Sequence, residues 1–198
     1  MLQEFVGQVK SLVADMESQM HTAIPAVIVS FDPLTCLASV LPSGKLKKPD
    51  GTMMDFPQVS GVPVVIQQMS GQDATLAYPI KEGDGCLLII SEQSLDYFLY
   101  GAESKVELKF DLTNAIAIPG LFAKPNAIVK DACEQNAIII DKQGKRITLS
   151  KAGINIIGDV TVNGSINATG DIQAGPVSLK THRHSGVETG SGSTGAPY

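Results

Sequence analysis

The sequence predicts an all-β fold behind a single N-terminal helix: first a small barrel or sandwich, then a narrow β-rod that needs three copies of the chain. Three observations carry this. Apolar residues recur at helical spacing only near the start, at Leu2, Phe5, Val9, Leu12 and Met16. From Pro25 to residue 118, short alternating stretches are separated by Gly, Pro and Asp turn signals, with no long helical segment between them. Near the end, glycine falls every six residues, at Gly158, Gly164 and Gly170.

The totals limit what such a fold can do. The chain has 198 residues, 43% of them hydrophobic, enough for one or two domains with a core. A net charge of −5 and a pI of about 5.1 argue against a general phosphate-binding surface, which depends on Lys and Arg. Aromatics are 5% and Trp is absent, which disfavours base-stacking platforms. Cys36, Cys86 and Cys133 form no CxxC pair and are odd in number, as expected of reduced, buried thiols rather than a disulfide framework. No apolar run approaches the ~20 residues of a membrane helix, and the N-terminus lacks a signal-peptide pattern. Any membrane contact must therefore come from a shape or an assembly.

Residues 2 to 20 should form the helix, with Val6 and Val13 widening its apolar stripe. The heptad-like spacing spans about two heptads, fewer than a coiled coil needs. The stripe fits either a cap on the helix's own domain or a dock for a partner. Pro25 ends any helix. Strands are expected at Ala26–Phe31, Cys36–Leu41, Val62–Gln67, Ala74–Tyr78, Cys86–Ser91 and Ala115–Ile118, with a brief helix over Ser94–Gly101. Gly120 to Asn126, with Pro119 and Pro125, reads as a linker. The acidic residues Asp84, Asp96, Asp111 and Asp159 fall at turns or strand ends, where solvated carboxylates are ordinary, and His21 at the helix–strand junction reads as structural.

From Asn136 the strands shorten, through Ile138 and Ile140, Ile147 and Leu149, and Ile154 and Ile156, into the hexads. In the hexads the third and fifth residues are apolar or small: Val160 and Val162, Ile166 and Ala168, Ile172 and Ala174. Alternate residues of a strand share a face, so each hexad is a short strand with one face to bury and a Gly-bearing turn. A single-chain triangular coil consumes three hexads per turn, and only three clear hexads are present, too few to close a core. Three copies side by side would bury every inward residue and remove free strand edges.

His182 and His184 follow the repeat and flank Arg183. If the segment is extended, both imidazoles share a face and Arg183 points away. One chain offers two nitrogens; three chains around an axis offer six. Six imidazoles favour Fe(II) or Ni over Zn, which prefers four ligands.

Three groups of residues resemble the central baseplate spikes of contractile phage tails, the baseplate assembly protein V type. The first is Pro25-Ala-Val-Ile-Val-Ser-Phe-Asp, Val62-Pro-Val-Val and Pro79-Ile-Lys-Glu-Gly-Asp84, which resembles these spikes' oligonucleotide/oligosaccharide-binding (OB-fold) barrel. The second is Ser91-Glu-Gln-Ser-Leu-Asp-Tyr-Phe-Leu-Tyr-Gly101 with Phe110-Asp-Leu-Thr-Asn-Ala-Ile-Ala-Ile-Pro-Gly120; Gln93 stands where the pattern has an arginine. The third is Thr181-His-Arg-His-Ser-Gly-Val-Glu-Thr-Gly190 with Gly192-Ser-Thr-Gly-Ala-Pro197, which resembles the spike apex.

The resemblance implies an N-terminal helix (1–22), an OB-fold barrel (23–120), a linker (121–135), an intertwined trimeric β-helix or β-prism (136–177) and a spike apex (178–198). It implies a non-enzymatic homotrimer whose barrels meet the tail hub and whose tip holds one iron ion per trimer on His182 and His184. Such spikes are assembled in the host cytoplasm, sit in the virion at the tip of the tail tube, and are driven through the target's outer membrane by sheath contraction. Two other readings compete. A hexapeptide-repeat acyltransferase would use a histidine as general base, but needs many more hexads and places the histidine within them. An OB-fold nucleic-acid-binding protein is disfavoured by the acidity and the scarce aromatics. No nucleophile has a base nearby in sequence, and no loop has the pattern that cradles phosphate.

Overall fold

The structure is a computed structural model that describes residues 2–48, 51–101, 109–183 and 190. The chain is mostly β with few helices. It divides into two compact units, Met1–Asn126 and Ala127–Tyr198.

The first unit opens with α1, Leu2–Gln19. Its apolar stripe is uncovered within the chain: Phe5 and Leu12 are each 63% exposed. The helix therefore does not bury that face on its own barrel. β1 (Ala23–Asp32) and β2 (Leu37–Pro42) pair antiparallel. Their loop is built by Asp32, whose carboxylate accepts from the Leu34 N–H at 3.0 Å and the Thr35 hydroxyl at 2.8 Å. Next come β3 (Lys45–Lys47) and β4 (Met53–Asp55), a separate hairpin tied by the Lys45–Asp55 ion pair. β5 (Val59–Pro63) pairs with β2. β6 (Gln67–Met69) and β7 (Ala74–Leu76) form another hairpin. β8 (Gly85–Ile90), the short α2 (Asp96–Tyr100) and β9 (Ala115–Pro119) complete the unit.

The main sheet runs β5-β2-β1-β8-β9, all neighbours antiparallel. Register shifts at Ile28/Ser30 and Ala38/Val40 bend its strands. The sheet curls into a half-barrel whose far edges meet just beyond β5, where the Val65 N–H donates to the Ala117 carbonyl at 2.9 Å. Small and branched residues fill the tight interior: Ile28, Val40, Val62, Cys86, Leu88 and Ala117 among others. Their alternation with exposed neighbours is the period-two signal of the sequence. All three cysteines are free thiols, but only Cys86 is buried as expected, which pushes its thiol up; Cys36 is half-buried and Cys133 exposed.

Two expected elements come out differently. The stretch Val62–Gln67 is not one strand. The chain leaves β5 at Pro63, which has no N–H for a ladder, and crosses to the opposite sheet edge before starting β6. The linker segment contains a third helix, α3, over Ala127–Gln135. It ends in a Schellman arrangement: Asn136, at φ 47, donates to the Cys133 carbonyl, and the Ala137 N–H donates to the Ala132 carbonyl.

Gly85 shows how tightly the half-barrel is drawn. A Cβ there would lie 1.9 Å from the Leu121 carbonyl oxygen, a backbone atom that no rotamer change can move. Gly85→Ala should destabilise the first unit by about 1–3 kcal/mol, the usual cost of overpacking, measured as a lower midpoint in thermal or urea unfolding.

In the second unit α3 leads into a three-stranded meander, β10 (Ile138–Lys142), β11 (Lys145–Ser150) and β12 (Gly153–Ile157). The β10–β11 loop is Gln143-Gly144, both at positive φ as a type I′ hairpin requires. Arg146 ties the helix to the hairpin, with Nε 2.9 Å from Asp141 and Nη1 3.1 Å from Asp131. From Gly158 to Ile172 these described residues make no strand ladder within the chain. Gly158 and Gly164 sit at φ 135 and 151, a region that favours glycine, whereas Gly170 does not need positive φ. Val160, Val162, Ile166 and Ile172 are all exposed in the single chain. A last hairpin, β13 (Gln173–Ala174) and β14 (Val177–Ser178), turns through Gly175-Pro176.

Candidate metal centre

The β13–β14 hairpin delivers the chain to His182. Just before it the chain turns through Leu179–Thr181, and the His182 N–H donates to the Ser178 carbonyl at 3.0 Å. The same turn holds the imidazole. Nδ1 lies 2.9 Å from the Ser178 carbonyl oxygen and 3.2 Å from that of Leu179. Carbonyl oxygens only accept, so Nδ1 carries the hydrogen and the lone pair of the neutral ring is on Nε2. A ring nitrogen pinned to backbone carbonyls, with the lone pair on the other, is the usual way a metal-ligating histidine is held. The His182 ring therefore fits the role of a metal ligand. His184 lies outside the described residues. Among the described residues, no three His, Cys, Asp or Glu side chains cluster to hold a metal within one chain.

The remaining singled-out groups have structural tasks. The His21 N–H donates to the Phe110 carbonyl at 3.2 Å, and its ring meets Phe56 edge-on at 5.7 Å between centroids. Asp111 accepts from the Thr113 N–H at 2.9 Å, and the Thr113 hydroxyl is the leading cause of its lowered pKa. Asp84 accepts from the Lys81 N–H at 2.8 Å and closes the turn before β8. It also edges an apolar cavity of about 430 Å³ in the first unit, lined by Val65, Ile66, Leu76, Tyr78 and Phe122. That cavity has one carboxylate, already engaged, and no nucleophile–base pair. Sequence reasoning missed Asp171 and Ser178, which brace the His182 turn. Gly175-Pro176 was the available signal, because a two-residue loop there sets residue 173 opposite 178.

Two family models match this chain. Residues 24–120 match the Phage protein Gp138 N-terminal domain, and residues 177–197 match the GpV Apex motif. The first match begins one residue into β1 and ends one residue after β9, so it takes in the half-barrel. The second begins at β14 and contains both His182 and His184. Together the two matches agree with a phage baseplate central spike of the V type. A comparison with curated proteins finds no match. Both families found are structural phage proteins, and they place this spike protein in the virion tail with the baseplate proteins. Among the described residues no helix is long and apolar enough to cross a membrane.

Proposed function

We propose that this baseplate spike protein is the membrane-piercing point of a contractile tail: a homotrimer, seated on the tail hub and driven through the target's outer membrane. One observation carries the reading: a barrel match and an apex match stand at opposite ends of one chain, with the glycine hexads between them. The half-barrel is the OB-fold base. Residues 136–177 of three chains form the intertwined needle, and residues 178–198 form its apex. The exposed apolar residues of the second unit support this, because a single chain leaves Ile138, Ile154 and Ile166 each more than 65% in water. The spike acts mechanically and has no catalytic task. The residues that would hold an ion at the tip are His182 and His184 of each copy, and iron suits a six-imidazole set. Bound there, the ion would fasten three strand ends at the place where they otherwise fray.

The hub contact is assigned to the barrel and to α1, whose uncovered stripe is an apolar face that needs a partner. Leu12→Asp in the full chain should leave a folded spike of unchanged mass that no longer joins tails, seen by probing purified particles for the protein. Particles that incorporate the variant at the wild-type level would refute this assignment of α1.

A further inference from the structure

We infer that Asp171 and Ser178 are positioning residues for the His182 imidazole: together they lock the turn whose carbonyls hold the ring. The inference rests on the metal-tip reading above and assigns it two residues outside the histidine pair.

The turn has three fasteners. The Leu179 N–H donates to the Ile172 carbonyl at 2.8 Å and extends the hairpin ladder past Ser178. The Lys180 N–H donates to Asp171 Oδ1 at 3.1 Å, across nine residues of chain. The Ser178 hydroxyl oxygen accepts from the Thr181 N–H at 3.0 Å and from the Thr181 hydroxyl at 2.9 Å. The Ser178 hydroxyl is also the leading cause that holds the Asp171 carboxyl below its usual range, followed by the Lys180 N–H. Asp171 thus ties residue 180 and Ser178 ties residue 181, and the carbonyls that grip Nδ1 belong to residues 178 and 179 of the same turn. Hydrogen bonds this exposed add little stability singly. Their effect is geometric: they set where the imidazole points. On a three-fold axis an error in that direction is repeated three times.

The test uses full-length, tag-free protein stripped of metal and reconstituted with Co(II) alone, whose visible absorption reports coordination geometry. Wild type should take up about one Co(II) per three chains. Asp171→Ala should lose roughly 10–100-fold in Co(II) affinity against a competing chelator, the usual effect of removing an outer-shell partner. Its absorption band should shift while its mass by light scattering stays that of wild type. Asp171→Asn keeps a carbonyl oxygen for the Lys180 N–H and should restore affinity and band. Ser178→Ala should resemble Asp171→Ala. Wild-type affinity and an unchanged band in Asp171→Ala would overturn the assignment and leave the metal reading standing. So would an Asp171→Asn loss as large as that of Asp171→Ala. An Asp171→Ala protein of monomeric mass would give the residue to assembly rather than to His182. A wild type that takes up no Co(II) overturns the metal reading itself, and this inference with it.

Discussion

In solution the full chain is expected to have three times the 20.8 kDa mass of one protomer, and Ile166→Asp is expected to abolish that mass. The first half follows from what one chain leaves uncovered. Ile154 is 70% exposed although β12 pairs with β11, and Ile166 at 69% and Val160 at 62% lie in hexads that make no strand ladder within the chain. Burying such a side chain contributes about 1.5–3 kcal/mol, and a trimer collects that from every copy. The second half follows from chemistry at the axis. Ile166→Asp would place three carboxylates together inside an apolar core, where neither water nor a cation offsets their charge. Asn167→Asp, one residue on and facing out, should leave the trimer intact. Light scattering at micromolar concentration is the measurement. A wild-type protein of monomeric mass sinks the trimer. The wild type should also resist heat and detergent, because unfolding must separate three interlocked chains.

How far the fold could be read beforehand depended on whether an element's partner lies nearby in the same chain. β1, β2, β8 and β9 were legible because one face of each is buried in the half-barrel, so the pattern alternates between turn signals such as Asp32-Pro33 and Gly83-Asp84. β3 and β4 were not: Lys-Leu-Lys and Met-Met-Asp contain no β-branched residue and bury no face deeply. α3 was hidden by Pro125 and by a short apolar pattern, although Asn136 was a stop signal in plain view. Near the C-terminal end, spacing singled out His182 and His184 as candidate ligands. The turn at Leu179–Thr181 was not legible, because the Lys180 N–H within it donates to Asp171, nine residues back along the chain. The hexads announce their period through glycine, and Gly158 and Gly164 do adopt glycine-favouring φ values. Their short strands were not found, because the described residues 158–172 make no ladder within the chain.

Purified without a His tag, the spike should carry about one transition-metal ion per three chains, and His182→Ala should carry none. The stoichiometry follows from the proposed trimer: one chain's two imidazoles make a poor site, whereas three chains would bring six nitrogens to one axial position. The substitution would then remove three of six ligands at once, so the loss should be complete rather than graded. His182 is suited to the task because its Nδ1–H is held on the carbonyls of Ser178 and Leu179, which puts the lone pair on Nε2. Six neutral donors favour iron or nickel over zinc. Since imidazole binds metal only when deprotonated, acidification should release the ion. Arg183→Ala should keep the metal, because a guanidinium stays protonated and is no ligand. His182→Ala should still have trimeric mass, as the hexad core lies elsewhere along the chain, but its tip should be cut sooner by protease and its particles should penetrate less well. Elemental analysis of the purified protein decides the matter. A metal-free wild type, or one ion for every chain, would count against a site shared on the axis.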